Sequence, residues 1–165
     1  MLHSTKTMYL DMSEVQRRMD ALNHVILPAR IRKGLELAGK KLMQDTVTGL
    51  PTMPIHRPNY PIEAQRQAGE LRASGAVFVD GAKKASSTQY GETATGKYQP
   101  ETYGGTPIDK TSHEACVVFN APYAATQHET FPEKTEPGAG THFMSEKLNA
   151  NAPEYIAIVA EAIKL

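Results

Sequence analysis

The chain has 165 residues, which is enough for one domain that buries a core without metal ions or disulfides. Its 18 lysines and arginines balance 18 aspartates and glutamates, so no overall charge attracts it to nucleic acid or to an anionic membrane. A single cysteine, Cys116, excludes an intrachain disulfide, and its apolar neighbours predict that it packs as a small core side chain.

Neither the start of the chain nor any later segment has the composition of a membrane or export signal. Met1 to Met12 mix charged and apolar residues and lack the continuous apolar stretch of a signal peptide. No segment approaches membrane-spanning length. We therefore expect a soluble protein that is synthesised in the cytoplasm and has no membrane partner.

The first predicted element is a long amphipathic helical segment. Its apolar residues recur at helical spacing in two phases, which predicts two helices or one kinked helix. The two phases are Val15, Met19, Leu22 and Ile26, then Ile31, Leu35, Ala38 and Leu42. Pro28 can begin the second phase, because a missing N–H costs nothing in a first helical turn. Gly49 and Pro51 predict where the helix ends.

The next stretch predicts a connector, a short helix and a strand. Four prolines between Leu50 and Pro61 prevent regular structure and predict a semi-rigid connector. A short helix is expected over 62–74. The glycine-bounded run 75–81 then has the composition of a strand.

Residues 82–112 are rich in Ser, Thr, Gly, Lys and Tyr and contain almost no aliphatic side chain. Such a segment buries little surface by itself, so we expect an exposed arm or a long hairpin. Tyr90, Tyr98 and Tyr103 recur along it and are typical of a protein interface, since tyrosines add contact area at low entropic cost. A disordered surface loop is the alternative.

The C-terminal third predicts one strand and three short helices. Alternating β-branched and aromatic residues over 113–120 indicate a second strand. A helical segment from Ala121 and Pro122, a Pro/Gly loop and a short helix near Phe143 follow. For the last helix, Asn151 and Glu154 suggest a capping box. Its predicted buried side comprises Ile156, Val159, Ala160 and Ile163.

His128, Glu129 and His142 are the best candidates for chemistry. Their spacing does not match a zinc motif, because adjacent helical residues point about 100° apart. No phosphate-binding loop, nucleophile elbow, H-E-x-x-H or C-x-x-C pattern occurs. The basic residues of the first helices alternate with acidic ones, which favours a solvated helix face over a nucleic-acid patch. We therefore expect no catalytic or metal site and no cofactor.

Two strings carry a resemblance to a known family. APYAATQHE at 121–129, a Pro/Gly loop, and THFMSEKL at 141–148 resemble the C-terminal half of the neck or tail-completion proteins of tailed phages, which are often filed as minor capsid proteins. AGELRAS at 68–74 is similar to the helix end that precedes the family's first strand. With the long N-terminal helix, the resemblance covers most of the chain outside 82–112, where the chain looks longer than the family's usual hairpin.

The resemblance implies an α+β subunit in which a small, mostly antiparallel sheet is flanked by a long N-terminal helical segment and C-terminal helices. It implies one head–tail joining domain over 1–165, assembled into a sixfold or twelvefold ring in the virion neck. The implied partners are the portal or connector and the tail terminator, with DNA passing through the lumen without sequence specificity. A tail-terminator ring is the nearer alternative, and a metal-dependent hydrolase that uses His128, Glu129 and His142 is the distant one.

A ring requires an interface between neighbouring subunits, and we assign a second set of residues to it. Tyr123 and Gln127 are four residues apart and share one side of a helix, where they could contact a neighbouring subunit together with Phe143. The alternative for Tyr123 and Phe143 is the core, where they would clamp the helix onto the sheet. His128 is also assigned to the interface, although local hydrogen bonds of Gln127, His128 and Glu129 that fix the loop are the favoured role.

Overall fold

A computed structural model describes residues 13–54, 68–91, 94–103, 113–130 and 137–164 of the chain. It confirms the predicted α+β class: a three-stranded antiparallel sheet is flanked by a long N-terminal helix and by C-terminal helices. The elements are α1 (Ser13–Ala21), α2 (Leu27–Thr48), α3 (Glu70–Ala73), β1 (Gly75–Val79), β2 (Ala82–Ser86), β3 (Ala115–Phe119), α4 (Ala124–Glu129), α5 (Ser145–Ala150) and α6 (Ala152–Ile163).

A π-helical turn joins the two predicted helical phases into one continuous helix. It spans Leu22–Ile26, and the Leu27 N–H donates to the Leu22 carbonyl. The wider turn takes up one extra residue, which shifts the first apolar phase round the helix relative to the second. Pro28 lies in the first turn of α2 as predicted, and the helix ends before Gly49.

Helix α2 lies between the sheet and α6. Gly39 and Met43 are buried on its sheet side, where it crosses β1. Gly34 packs against α6, close to the backbone of Val159. The Asp45 end of α2 meets the beginning of α6, where the Tyr155 hydroxyl donates to the Asp45 carboxylate at 3.0 Å. The two helices therefore run antiparallel.

The sheet has the order β2-β1-β3, and all five residues of β1 are buried. Val77 pairs with Val117 on one side and with Ala85 on the other. Asp80 and Gly81 form the β1–β2 turn with φ values of 49° and 79°, the positive values that a two-residue hairpin turn requires. The predicted strands at 75–81 and 113–120 are confirmed.

Asp80 fastens this turn to both neighbouring elements. Its carboxylate accepts hydrogen bonds from Arg32 Nε of α2 at 2.7 Å and from the Glu114 N–H at 3.1 Å, and it lies 2.9 Å from His113 Nδ1. Burial alone would raise the pKa of Asp80, but these hydrogen bonds outweigh it and hold the pKa below its usual value.

Residues 82–112 were expected to form an exposed arm or a long hairpin, and their described parts, 82–91 and 94–103, pack against the sheet. Residues 82–86 are β2, and fully buried Ser87 accepts a hydrogen bond from the Gly75 N–H at 2.7 Å. Gln99 Nε2 donates to the Gly75 carbonyl at 2.9 Å. Composition gave no sign of this packing, because hydrogen bonds and the partly buried Tyr90 and Tyr98, rather than aliphatic side chains, hold the segment. Residues 104–112 lie outside the described part.

The structure of α6 differs from two predictions, one for its cap and one for its buried side. Asn151 precedes it, but the side chain makes no capping bond and instead lies 3.4 Å from both Asp45 Oδ2 and the Tyr155 hydroxyl. The side predicted to be buried is only half right: Ile156 and Ala160 are exposed, Val159 and Ile163 are partly buried, and the buried residue is Tyr155. The face that meets α2 comprises Tyr155, Val159 and Ala162, so the predicted face is displaced round the helix towards Ile156 and Ala160.

The core brings together α2, α3 and the C-terminal motif. Val47, Met53, Leu71, Ala121 and Phe143 form one buried cluster. Within 13–54, 68–91, 94–103, 113–130 and 137–164, no helix is long and apolar enough to cross a membrane. The predicted connector at 50–61 and helix at 62–74 are described only in part, since 55–67 lie outside the described residues.

Candidate functional site at the base of loop 130–142

The two strings that carry the resemblance meet in space. β3 leads through buried Ala121 into α4, which ends at Glu129, and the chain returns to the same place at His142 before α5 begins. The His142 N–H donates to the His128 carbonyl at 2.8 Å, which closes the intervening loop at its base. Residues 131–136 of this loop lie outside the described part.

The Glu129 carboxylate links the two histidines. One oxygen lies 2.5 Å from His128 Nδ1, and the other lies 3.4 Å from His142 Nε2. The imidazole rings are 5.5 Å apart, and the His128 ring meets Phe143 edge-on at 4.9 Å. His142 has a φ of 56°, a backbone conformation that is uncommon outside glycine. We call His128, Glu129, His142 and Phe143 the loop-base cluster.

The far side of the His128 ring faces the start of α5. His128 Nε2 lies 3.4 Å from both the Ser145 N–H and the Ser145 hydroxyl. A nitrogen that accepts from the first N–H of a helix acts as a cap, because that N–H has no partner inside the helix. With Nδ1 donating to Glu129, His128 joins the end of α4 to the beginning of α5.

The same atoms arrange Ser145, His128 and Glu129 in the order nucleophile, base and orienting carboxylate. The 3.4 Å Ser145–His128 separation is long for an activated nucleophile, and the Ser145 N–H faces the same ring nitrogen. The histidine is therefore used as a structural acceptor. Among the residues that the structure describes, no three His, Cys, Asp or Glu side chains are placed to hold a metal ion.

Three of the predicted interface residues pack against the core cluster instead of projecting into solvent. They are Tyr90, Tyr98 and Tyr123, and all are partly buried. The Tyr98 and Tyr123 rings meet edge-on at 6.1 Å. Their remaining exposed surface is what could contact a neighbour.

The other predicted interface residues separate into core and helix positions. Phe143 is 2% exposed, so the core alternative holds and its ring is closed to a neighbour. Gln127 lies one turn after Tyr123 in α4 and is partly buried. Tyr103 lies apart from them, with its ring 5.8 Å from that of Phe78. A hydrogen bond with Cys116 raises the pKa of the Tyr103 hydroxyl.

A second polar site beside α5 had no signal in the sequence. Buried Lys147 donates to the Leu50 carbonyl and lies 3.5 Å from the Pro51 carbonyl, just beyond the end of α2. Burial lowers the pKa of this lysine. It lines a cleft of about 310 Å³ together with Asp45, Gly49, Leu50, Glu146, Ala150 and Asn151. Nothing in the short motif around Lys147 indicates that its ammonium group turns inward.

Comparison with known proteins identifies no relative. No family model matches the chain, and neither the curated proteins nor the solved structures contain a significant match.

Proposed function

We propose that the chain is a structural subunit of a tailed-phage virion, located in the neck and joining the capsid portal or connector to the tail. The observation that carries the proposal is the resemblance at 121–129 and 141–148. The fold supports it, because these two strings form one cluster that closes a loop and fixes α5. Because the residues of the two strings contact one another, their order and spacing are determined by the fold.

The local chemistry of the cluster also supports an architectural role. His128 is engaged on both ring nitrogens, and Glu129 links the two histidines across the loop base. Each contact joins two chain segments, as expected of a fastening between elements. In the proposed neck, the subunits form a ring of six or twelve copies through which DNA passes without sequence-specific contacts.

The proposal is tested by genetics combined with electron microscopy. Disruption of the gene in a phage that carries it should give filled heads and separate tails, and expression of the chain in trans should restore joined particles. Mass spectrometry of purified virions should find the chain in six or twelve copies per particle. Normal virions from the disrupted phage, or absence of the chain from virions, would contradict the proposal.

A tail-terminator ring is the nearer alternative and shares the fold class. The two roles differ in the kind of tail that accumulates when the gene is disrupted. Loss of a terminator gives tails of abnormal or unregulated length, whereas loss of a neck protein leaves tails of normal length that fail to attach. Imaging of the virion neck with the labelled chain separates the two positions directly.

A metal-dependent hydrolase is the distant alternative: the three residues that it requires are in contact, but among the described residues no three such side chains are placed to hold a metal ion. Elemental analysis of the purified chain, before and after incubation with zinc, tests it. Stoichiometric metal that is lost in His142→Ala but kept in His113→Ala would favour the enzyme. His113 is the matched control, because it lies beside Asp80 and away from the loop-base cluster.

A further inference from the structure

Strand β3 is an edge strand, and its outer side meets no other strand of the described residues. In the sheet order β2-β1-β3, β1 lies in the centre and β3 has a partner on one side only. The Glu114 carbonyl accepts a hydrogen bond from the Asp80 N–H at 3.0 Å. At the other end of β3, the Asn120 N–H donates to the Ser74 carbonyl at 3.1 Å. Residues at the even positions of 114–120 therefore direct their backbone groups towards β1, because bonding alternates along an antiparallel ladder.

The residues between them, Ala115, Val117 and Phe119, direct their N–H and carbonyl groups to the open side of the sheet. No other described segment forms backbone hydrogen bonds with them on that side. Ala115 is exposed, and the Phe119 ring lies over Gly75 of β1, with Cε1 only 2.6 Å from the position of a Cβ atom there. The ring thus leans away from the open side. Unpaired donors and acceptors along an edge strand bind an extended backbone.

The two edge strands differ in the features that protect an edge from pairing. β2 carries Lys83 and Lys84, and its register with β1 shifts between Val77 and Phe78, as at a bulge. Lysines and bulges both discourage pairing with another chain. β3 pairs with β1 without any shift and contains no charged residue, proline or glycine. Its outer edge is therefore regular and unprotected.

We propose that β3 pairs antiparallel with β3 of a second copy, about a two-fold axis at Val117. Ala115 of each copy then lies opposite Phe119 of the other. This register pairs the outward backbone groups of all three residues, because both strands present them at the same positions. It opposes no like charges, since Glu114 meets Asn120. The β2 edge of a second copy fits less well, because its bulge makes the spacing of the outward groups irregular.

The contact uses the same surface on both copies, so it closes as a dimer and leaves no β3 edge free. The two three-stranded sheets become one continuous sheet, with both α2 helices on the same face. Pairing also covers an edge that would otherwise be a template for aggregation. The inference concerns the free chain and does not rest on the proposed function, since a two-fold contact alone builds no ring.

Disulfide trapping in the full-length chain tests the pairing and its register. Cys116 of one copy lies opposite Val118 of the other, in a non-hydrogen-bonded pair whose Cα atoms are about 4.5 Å apart. The two Cys116 residues lie on a diagonal, with Cα atoms about 8 Å apart, which is too far for a disulfide. Mild oxidation of the untagged wild-type chain mixed with a tagged Cys116→Ser/Val118→Cys chain should therefore link one chain of each kind.

The matched control carries Ala82→Cys instead of Val118→Cys in the same Cys116→Ser background. Ala82 is exposed on the other edge of the sheet, so this chain should give at least about tenfold less product with the wild-type chain. Equal product from the control, or no product from the Val118→Cys chain, overturns the inference. A disulfide-linked dimer of the wild-type chain alone in comparable yield also overturns it, because that bond requires another register.

Proline substitution gives a readout that needs no added cysteine. The wild-type chain should sediment as a concentration-dependent dimer, and Ala115→Pro should weaken the dimer by at least about tenfold, because each copy loses an outward N–H donor. This N–H forms no bond with β1, so the fold should remain, as far-UV circular dichroism checks. Ala115→Val is similar in size and keeps the N–H, so it should leave the dimer intact, and equal effects of proline and valine would refute backbone pairing. A monomeric wild-type chain overturns the inference but leaves the neck proposal standing, whereas a β3-paired chain that is absent from virions does the reverse.

Discussion

Gly39 marks the position where α2 crosses the central strand, and its replacement tests how closely the two elements pack. A Cβ atom at this position would lie 2.6 Å from Val77 Cγ1 and 3.9 Å from Val117 Cγ2. Side-chain atoms do not approach one another to 2.6 Å without displacement. Val77 is fully buried in β1 and β-branched, so it has little freedom to rotate away. Gly39→Ala must therefore push the helix and the sheet apart.

Two effects of opposite sign set the magnitude. Alanine is favoured over glycine in a helix by about 1 kcal/mol. An overpacked core costs about 1–3 kcal/mol, and the rigid Val77 places this site towards the upper part of that range. We therefore expect Gly39→Ala to lower the free energy of unfolding by about 1–2 kcal/mol.

A double-mutant cycle in urea denaturation separates the two effects. Val77→Ala removes the atom that clashes and should by itself cost about 2 kcal/mol through lost burial and a cavity. In that background Gly39→Ala should change sign and stabilise the protein by about 1 kcal/mol, since the new methyl group fills the vacated space. If Gly39→Ala also stabilises the chain that retains Val77, the proposed contact between α2 and β1 is wrong.

Three further changes have definite expected outcomes. Because hydrogen bonds hold the pKa of Asp80 below its usual value, its stabilising contribution is full above about pH 4 and is lost as pH falls through the folded-state pKa. The deficit of Asp80→Asn in urea unfolding should therefore be clear at pH 7 and should shrink towards about pH 3, and a constant deficit would contradict this origin. Lys147→Met should cost about 1–3 kcal/mol by removing the charged donor to the Leu50 carbonyl, whereas Lys164→Met, at an exposed position, should change stability by less than about 0.5 kcal/mol in the same assay. Deleting 84–110 should abolish cooperative thermal unfolding, because it removes most of β2 and buried Ser87, and a cooperative transition at the wild-type temperature would restore the exposed-arm interpretation.

Periodic apolar residues made the larger elements predictable. The long N-terminal helix, the strands at 75–81 and 113–120, and the α+β class follow from side-chain spacing and from glycine and proline positions. The π-turn was visible only as a phase break near Pro28. A sequence shows that two sets of apolar residues lie in different helical phases, but it does not show which change in backbone geometry connects them. For α6 the periodic pattern identified Val159 but placed Ile156 and Ala160 inside instead of Tyr155, because an apolar side chain next to the contact face resembles one within it.

Polar contacts account for most of what the sequence did not predict. The segment 82–103 looked unable to join a core because it lacks aliphatic residues, yet Ser87 and Gln99 attach it to Gly75 through hydrogen bonds. His128, Glu129 and His142 were identified as candidates from residue type, but their mutual contact depends on how a loop closes. Lys147 had no signal, because an inward lysine depends on two carbonyl groups that only the folded backbone brings near.

One continuous helix carries both the N-terminal segment 13–29 and the contact with α6. A π-helical turn joins α1 to α2 without any intervening loop. Helix α6 is fixed against α2 at both ends, by Gly34 packing on Val159 and by the Tyr155–Asp45 hydrogen bond at 3.0 Å. The angle between the N-terminal segment and α6 is therefore set inside the subunit, and a flexible linker could not impose it.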